Sequence, residues 1–527
     1  CLVIRSCLKL IWISCVLIML SIALLSFFLT RGKVGNSEGF FLAGRSLTGI
    51  VIAGSLLLTN ISAEQIIGLA GSAYAFNMSS MAWEVMAVIA IAITAIVLLP
   101  RYLAIGFTTL PQFLGSRFSP AVRHMTVILF LLAYGLITIP SILYSGTIAI
   151  IETFSDDLPE NATIPIMLVI AMIGAGYSVA GGLRAVAISD ALNGIGLIFF
   201  GFLIPLLALG AIADGNIALG WNILITAQPE KFNAIGKATD PTPFATIFTG
   251  MIFANLAYWG TNQYVIQRAL AAKSLAAGQQ GILIAGFFKL LIPIFIMLPG
   301  IIAFHLYGDT LSSMDQAYPR LVKDVLPPYL MGFFLAVLLG TVFSSFNSLL
   351  QSTATLVTYD LVIPNTSRAL DDKFLIRIGR TVCILITIFG LLIAPMLQDA
   401  PEGLWQLIRK FSGFYNIPII VIVLGALFFK STCSKGAISV IVFHLVAYGL
   451  ITFVIDTGIH FVHWYGILFM IEALIMLSIR GPRQPLPNKP DVVDLTPWPY
   501  RWPVCFVLLF SILILYSILS PLGIAAP

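Results

Sequence analysis

The chain has 527 residues, 59% of them hydrophobic and 10% charged, with a mean hydropathy of +1.01. A soluble domain carries about 25% charged residues, so soluble enzymes and nucleic-acid binders are excluded, and the net charge of +5 has meaning only through its placement. Apolar runs of about 20 residues recur from end to end, the length at which a helix crosses a hydrocarbon core of about 30 Å. Barrel strands alternate and are about half as long. An all-α polytopic membrane protein is expected.

In chain order the predicted spans are 8–30, 48–72, 79–100, 124–153, 163–182, 190–213, 244–265, 280–304, 329–361, 374–396, 402–428, 435–455, 460–479 and 503–522. The first is too long for a signal-peptide core and no cleavage site follows it. Six cysteines lie scattered without a CxxC pair, which points to packing rather than disulfides or metal. The polar links 214–243, 305–328 and 480–502 are too short to fold alone, so no enzyme domain is expected.

Charge placement orients the chain. Loops after odd-numbered spans hold nineteen of the 28 lysines and arginines, including Arg31, Lys33, Arg45, Arg101, Arg117, Arg123, Arg268 and Lys273. The loop after the fourth span is acidic, with Glu152, Asp156, Asp157 and Glu160. The positive-inside rule then predicts both termini outside, in an inner (plasma) membrane.

Polar residues interrupt the second span, where 59–65 read Thr-Asn-Ile-Ser-Ala-Glu-Gln. An ionisable group at mid-bilayer costs about 2.5–3.5 kcal/mol, so Glu64 marks either a functional cavity or an ion-pair partner. The cluster predicts a discontinuous helix with freed carbonyls; the alternative is an unbroken helix with polar packing contacts. The seventh span has a similar knot over 254–263. Two interrupted spans five apart imply two inverted units of five helices, which place ligand sites at the midplane and favour a transporter over a pore. Glu84 and Lys289 are further intramembrane charges, serving either a ligand or a pair that joins helices. With the carboxamides of Gln65 and Asn255 they match hydroxyls that donate and accept, and Tyr258 and Trp259 offer flat apolar cover. In the ninth span Thr341, Ser344 and Ser345 suit a hard cation, or bond along and between helices.

Asn60-Ile61-Ser62-Ala63-Glu64-Gln65, preceded by Phe41-Leu42-Ala43-Gly44-Arg45-Ser46-Leu47, resembles the solute:sodium symporter family, with its bacterial sodium/galactose cotransporters the nearest comparison. The likeness runs through Tyr177 to Leu183, Asp190, Asn255 to Ser274, Ser344-Ser345, Ser352 to Thr355 and Ser434 to Ala437. It covers roughly 40 to 480 in unbroken order. The resemblance implies a LeuT-type five-plus-five inverted repeat of about 14 helices. Residues 1–47 would be an extra helix and loop, 48–213 and 244–428 the repeats, and 429–527 extra C-terminal helices. It also implies sugar contacts at Gln65, Glu84, Asn255 and Lys289, with Tyr258 closing the inner side. Sodium would lie at the carbonyls of Leu58, Ile61, Thr341 and Ser344 and the Ser345 hydroxyl, with Asp190 near its inner exit or simply at a helix start. One position departs: Arg409 stands where galactose transporters have glutamine, with Gln406 one turn earlier. Arg409 either reads an acidic or modified sugar or snorkels outward.

The expected protein is therefore a sodium-coupled symporter importing a sugar or sugar-like solute by alternating access, as a monomer or weak oligomer in the bilayer. The alternatives are the same fold carrying inositol, an acidic sugar or another organic solute, or an uncoupled channel or sensor.

Overall fold

A computed structural model describes residues 2–30, 36–153, 159, 162–366, 370–397, 404–483, 486 and 493–526, without side chains for 2–9, 177, 180, 181 and 404–406. Arg31, Lys33, Asp156, Asp157, Glu160 and the side chains of Tyr177 and Gln406 lie outside the described residues. The described residues are helical almost throughout, with only isolated β-bridges beside the helices.

The main helices are α1 (Leu2–Thr30), α2 (Gly49–Asn60), α3 (Ala63–Ala75), α4 (Met78–Ile105), α5 (Pro120–Thr153), α6 (Thr163–Ile212), α7 (Met251–Thr261), α8 (Gln263–Leu270), α9 (Leu275–Tyr307), α10 (Pro328–Asn365), α11 (Asp372–Leu397), α12 (Leu404–Phe428), α13 (Ser434–Phe453), α14 (Phe461–Ser478) and α15 (Arg501–Ile518). Among the described residues eleven helices are long and apolar enough to cross a membrane, or twelve with α2 and α3 taken as one bent span. The fifth and seventh predicted spans appear as shorter pieces: the first half of α6, and the pair α7 and α8.

Local sequence explains the irregularities. Four helices contain a π turn, at Thr94–Leu98, Tyr134–Thr138, Pro293–Met297 and Val357–Val362. In each case a proline stands two residues beyond the turn: Pro100, Pro140, Pro299 and Pro364. Proline lacks an N–H and its ring collides with the carbonyl four residues back, and a widened turn relieves both faults without ending the helix. α6 holds two segments joined at Gly182, which takes φ 61° and ψ −171°. A Cβ there would stand 2.8 Å from the Phe40 carbonyl oxygen, so only glycine fits.

α2 packs between α6 and α9, α10 lies against α6 and α1, and α7 lies against α4 and α12. α13 and α14 pack on α12 and on each other. At the arginine-rich end, several of the charges read as loop residues are turned into the protein. Arg117, 2% exposed, donates to the carbonyls of Ala426 (3.3 Å), Phe429 (3.0 Å) and Lys430 (3.2 Å) at the end of α12. Arg45 donates to Leu270 O (3.0 Å) and Phe107 O (3.4 Å), and Arg123 bonds Asp360 and Tyr359 O. Helix C-termini present unpaired carbonyls and partial negative charge, which guanidinium forks satisfy. Cys15, Cys383, Cys433 and Cys505, the cysteines whose side chains are described, are free.

Candidate functional site

The second span breaks where its polar cluster lies. Ile61 (φ −87°, ψ 87°) and Ser62 (φ −102°, ψ 173°) leave helical geometry, and the axes of α2 and α3 differ by 59°. Short polar side chains at 59–62 offer the backbone alternatives to helical bonding. The Ser345 hydroxyl of α10 lies 3.3 Å from Leu58 O and 3.2 Å from Thr59 O, so α10 is seated on the carbonyls beside the break. Ile61 and Thr341 face each other across a small apolar void shared with Phe295 and Phe334. The Ser344 carbonyl accepts the Ser348 hydroxyl at 2.5 Å. The Ser344 hydroxyl is buried and lines a separate 290 Å³ cavity with Asp190, Asn347 and α1.

The second interruption falls inside the other predicted knot. α7 ends at Thr261, Asn262 is extended (φ −71°, ψ 121°), and α8 follows. Asn262 is pinned on both sides: its Oδ1 accepts from the Tyr134 hydroxyl at 2.6 Å and its Nδ2 donates to the Tyr415 hydroxyl at 3.2 Å.

Between the two breaks lies a cavity of about 60 Å³, lined by Asn60, Gln65, Tyr258, Ser345, Arg409 and Tyr415 among others. That is room for about two waters, and the lining is mixed, with Ile137, Ile142, Leu349 and Phe411 beside the polar groups. Asn60 Nδ2 donates to the Tyr258 hydroxyl at 3.0 Å, which holds the ring across the cavity. Asn60 Oδ1, Glu64 Oε2 and Gln65 Nε2 are buried without partners, as is Asn255 Nδ2 one turn before Tyr258 on α7. Unpaired buried polar groups cost about 1–3 kcal/mol each, and Asn60, Glu64 and Gln65 line the cavity while Asn255 stands outside it.

Beside the cavity sits a charge cluster. Glu84 and Lys289, 1% and 4% exposed, form a direct ion pair. Arg409 lines the cavity and also reaches the pair, with Nη2 3.9 Å from Glu84 Oε1. Its guanidinium lies 5.0 Å over the Trp83 ring, so it points inward. Lys289 stands 5.6 Å over Trp259. Trp259 itself lines a minor void with Leu56, Thr94 and Tyr102 rather than the cavity. The structure thus brings Gln65, Tyr258, Arg409 and Ser345 to one cavity, adds Glu84 and Lys289 through Arg409, and turns Trp259 aside. Beyond the cluster, at the end opposite the arginine loops, a vestibule of about 800 Å³ opens between α3 and the start of α14. Its wall includes Phe461, stacked on Trp83 at 6.5 Å.

The sequence reading passed over Arg268, counted there as a loop charge. It is fully buried on α8 and joins four elements. Its Nε donates to Ser55 Oγ (2.8 Å), its Nη2 lies 3.8 Å from Asp190 Oδ2, and it bonds the Ser348 hydroxyl and Tyr264 O. Ser55 Oγ donates to Asp190 at 2.7 Å. Asp190 is therefore no interfacial helix-start acid; it is 2% exposed within the second segment of α6. The spacing of Ser55, Thr59, Ser344 and Ser348 by four is the signal that two hydroxyl rows face one another.

A sequence model of the "Sodium:solute symporter family" matches residues 40–443. The uncharacterised symporter YidK of Escherichia coli (strain K12) is 38% identical over 502 residues, covering 94% of this chain and 88% of that protein. The sodium/glucose cotransporter of Vibrio parahaemolyticus is 34% identical over 434 residues, covering 77% and 78%. A Na⁺-coupled sialic acid symporter, solved substrate-bound and outward-open, superposes with a TM-score of 0.78 at 18% identity, covering 89% of this chain and 97% of that one.

Proposed function

Because the chain belongs to the sodium:solute symporter family, we propose that it is a sodium-coupled importer of a sugar or sugar-like polyol, working by alternating access. The observation that carries this reading is the cavity where two interrupted helices meet, with orphaned carboxamide and carboxyl atoms on its rim. Hydroxyls that both donate and accept satisfy such a set.

In this reading the arginine-rich end faces the cytoplasm and the 800 Å³ vestibule faces outside. The repeats are 48–213 and 244–428. Sodium binds where Ser345 meets the Leu58 carbonyl, with the carbonyls of Ile61, Thr341 and Ser344 completing an oxygen shell, and leaves past Asp190. Sodium held between α2 and α10 has a higher affinity for one arrangement of the repeats than for the other, as any coupling ion must. The solute bonds Gln65, Asn255, Glu84 and Lys289, and Tyr258, tethered to Asn60, is the last barrier inward. One charge crossing about 150 mV supplies about 3.4 kcal/mol, and a tenfold sodium gradient about 1.4 kcal/mol. Together they sustain a solute gradient on the order of a few thousandfold.

Arg409 favours a second reading, an acidic sugar, because its guanidinium sits at the cavity rather than snorkelling. Sodium-driven uptake in proteoliposomes, over a panel of labelled hexoses, inositols and hexuronates, decides between them. Glu84→Ala is expected to lose uptake, Ser345→Ala to need about tenfold more sodium for the same uptake, and Arg409→Gln to change the preferred solute. Normal uptake by the first two defeats the site assignment, and sodium-independent downhill flux defeats the symporter in favour of a channel.

A further inference from the structure

Near the start of α12, three backbone carbonyls are held by side chains of α13 and α14. The Tyr465 hydroxyl of α14 donates to Arg409 O. The Tyr448 hydroxyl of α13 donates to Lys410 O at 2.8 Å. His444 of α13 places Nε2 3.1 Å from Gly413 O. Residues 409, 410 and 413 share one helical face, and a carbonyl with two lone pairs accepts such a bond beside its helical one.

The face is shaped for these donors. A Cβ on Gly413 would stand 2.7 Å from the Tyr465 hydroxyl and 2.3 Å from its ring, so a larger residue would push Tyr465 off the helix. Tyr448 packs edge-on against Phe414 at 4.7 Å and stacks on His444 at 5.3 Å. His444 and Glu472 are both fully buried, with Nδ1 2.6 Å from Glu472 Oε1. Gly413 O only accepts, so Nε2 carries a hydrogen. The Nδ1 contact then holds a second proton between ring and carboxyl, which fixes the imidazole in the orientation that reaches α12.

What these tethers fix is the backbone of Arg409, whose guanidinium lies over Trp83 and 3.9 Å from Glu84 at the rim of the central cavity. We propose that Tyr448, Tyr465 and the His444–Glu472 pair are positioning residues that set Arg409 over the solute and so tune which solute the cavity accepts. This rests on the cavity being the solute site.

The test is uptake kinetics in proteoliposomes with labelled D-glucose, D-galactose, myo-inositol and D-glucuronate, each variant scored on the solute that wild type carries fastest. Tyr448→Phe and Tyr465→Phe are expected to raise KM about three- to tenfold, the worth of one or two hydrogen bonds, with Vmax per folded transporter retained. In an Arg409→Gln background the same changes add less than twofold, because their target is gone. Glu472→Gln restores most of the KM lost in Glu472→Ala, since its amide donates to Nδ1 and keeps the ring turned to Gly413. Amide exchange over 407–417 rises in the tyrosine variants without any solute. Unchanged KM, unchanged exchange, or effects that add fully to Arg409→Gln overturn the positioning while leaving the cavity reading intact. An Arg409→Gln protein with wild-type kinetics and preference refutes the role of Arg409 at the cavity, and the positioning with it.

Discussion

The Glu84–Lys289 pair allows a structural role and a solute-binding role to be separated. Both side chains are buried, and removing one partner of a buried pair costs about 3–5 kcal/mol. The two single variants are not equivalent. Lys289→Met leaves Glu84 beside Arg409 at 3.9 Å, a contact worth about 4 kcal/mol of Coulomb energy at an effective dielectric of 20, so its cost falls to about 1–2 kcal/mol. Glu84→Gln leaves two cations facing each other with no carboxylate between them, and its cost lies at the top of the range. The double variant Glu84→Gln/Lys289→Met removes the Lys289–Arg409 repulsion but leaves Arg409 without Glu84, and its stability is expected to lie between those of the two single variants. Thermal unfolding in detergent ranks the four proteins, and sodium-driven uptake is measured on the same samples. A double variant that stays folded but no longer takes up solute assigns the pair to the cargo. Equal destabilisation by the two single changes, or a double variant as unstable as Glu84→Gln, refutes this account of the cluster.

Ser345→Ala removes the hydroxyl from the Leu58 and Thr59 carbonyls and is expected to raise the half-saturating sodium concentration about tenfold, about 1.4 kcal/mol; a sodium titration of uptake that matches wild type would place the ion elsewhere. Gly182→Ala forces a side chain into positive φ against Phe40 O and should cost about 2–4 kcal/mol, read as a lowered unfolding temperature. Arg268→Lys replaces a fork that reaches Ser55, Asp190, Ser348 and Tyr264 with a single ammonium, a loss of about 2–4 kcal/mol visible in the same unfolding assay; wild-type stability would show that these contacts are dispensable.

The long apolar runs were legible as helices because such runs have few alternatives in a bilayer, although eleven or twelve described helices, rather than the fourteen expected, are long and apolar enough to span. Both interruptions were legible because Asn60, Ser62 and Asn262 are poor continuations of a helix among residues that are good ones. The π turns were readable in principle from Pro100, Pro140, Pro299 and Pro364, but proline in a span is also compatible with a kink or an end, and the choice is made by neighbours. Arg268 was misplaced because an arginine after an apolar run looks the same whether it faces headgroups or folds back onto Asp190. Trp259 was assigned to the cavity from its neighbour Tyr258; adjacent residues on a helix point about 100° apart, and the sequence does not say which of the two faces inward. The tethers on α12 depend on contacts between helices far apart in the chain, for which a single sequence carries no periodic signal.

The arginines that clamp helix ends serve two stages of the protein's life. In the folded protein Arg45, Arg117, Arg123 and Arg268 are rivets between chain segments, and the positive-inside rule gives such charges a weight in orienting a chain during insertion. Neutralising one of them therefore confounds a topology experiment with a folding defect. The exposed side chains of Lys273, Lys373 and Lys430 form no such clamp among the described residues, and orientation is best probed by changing those.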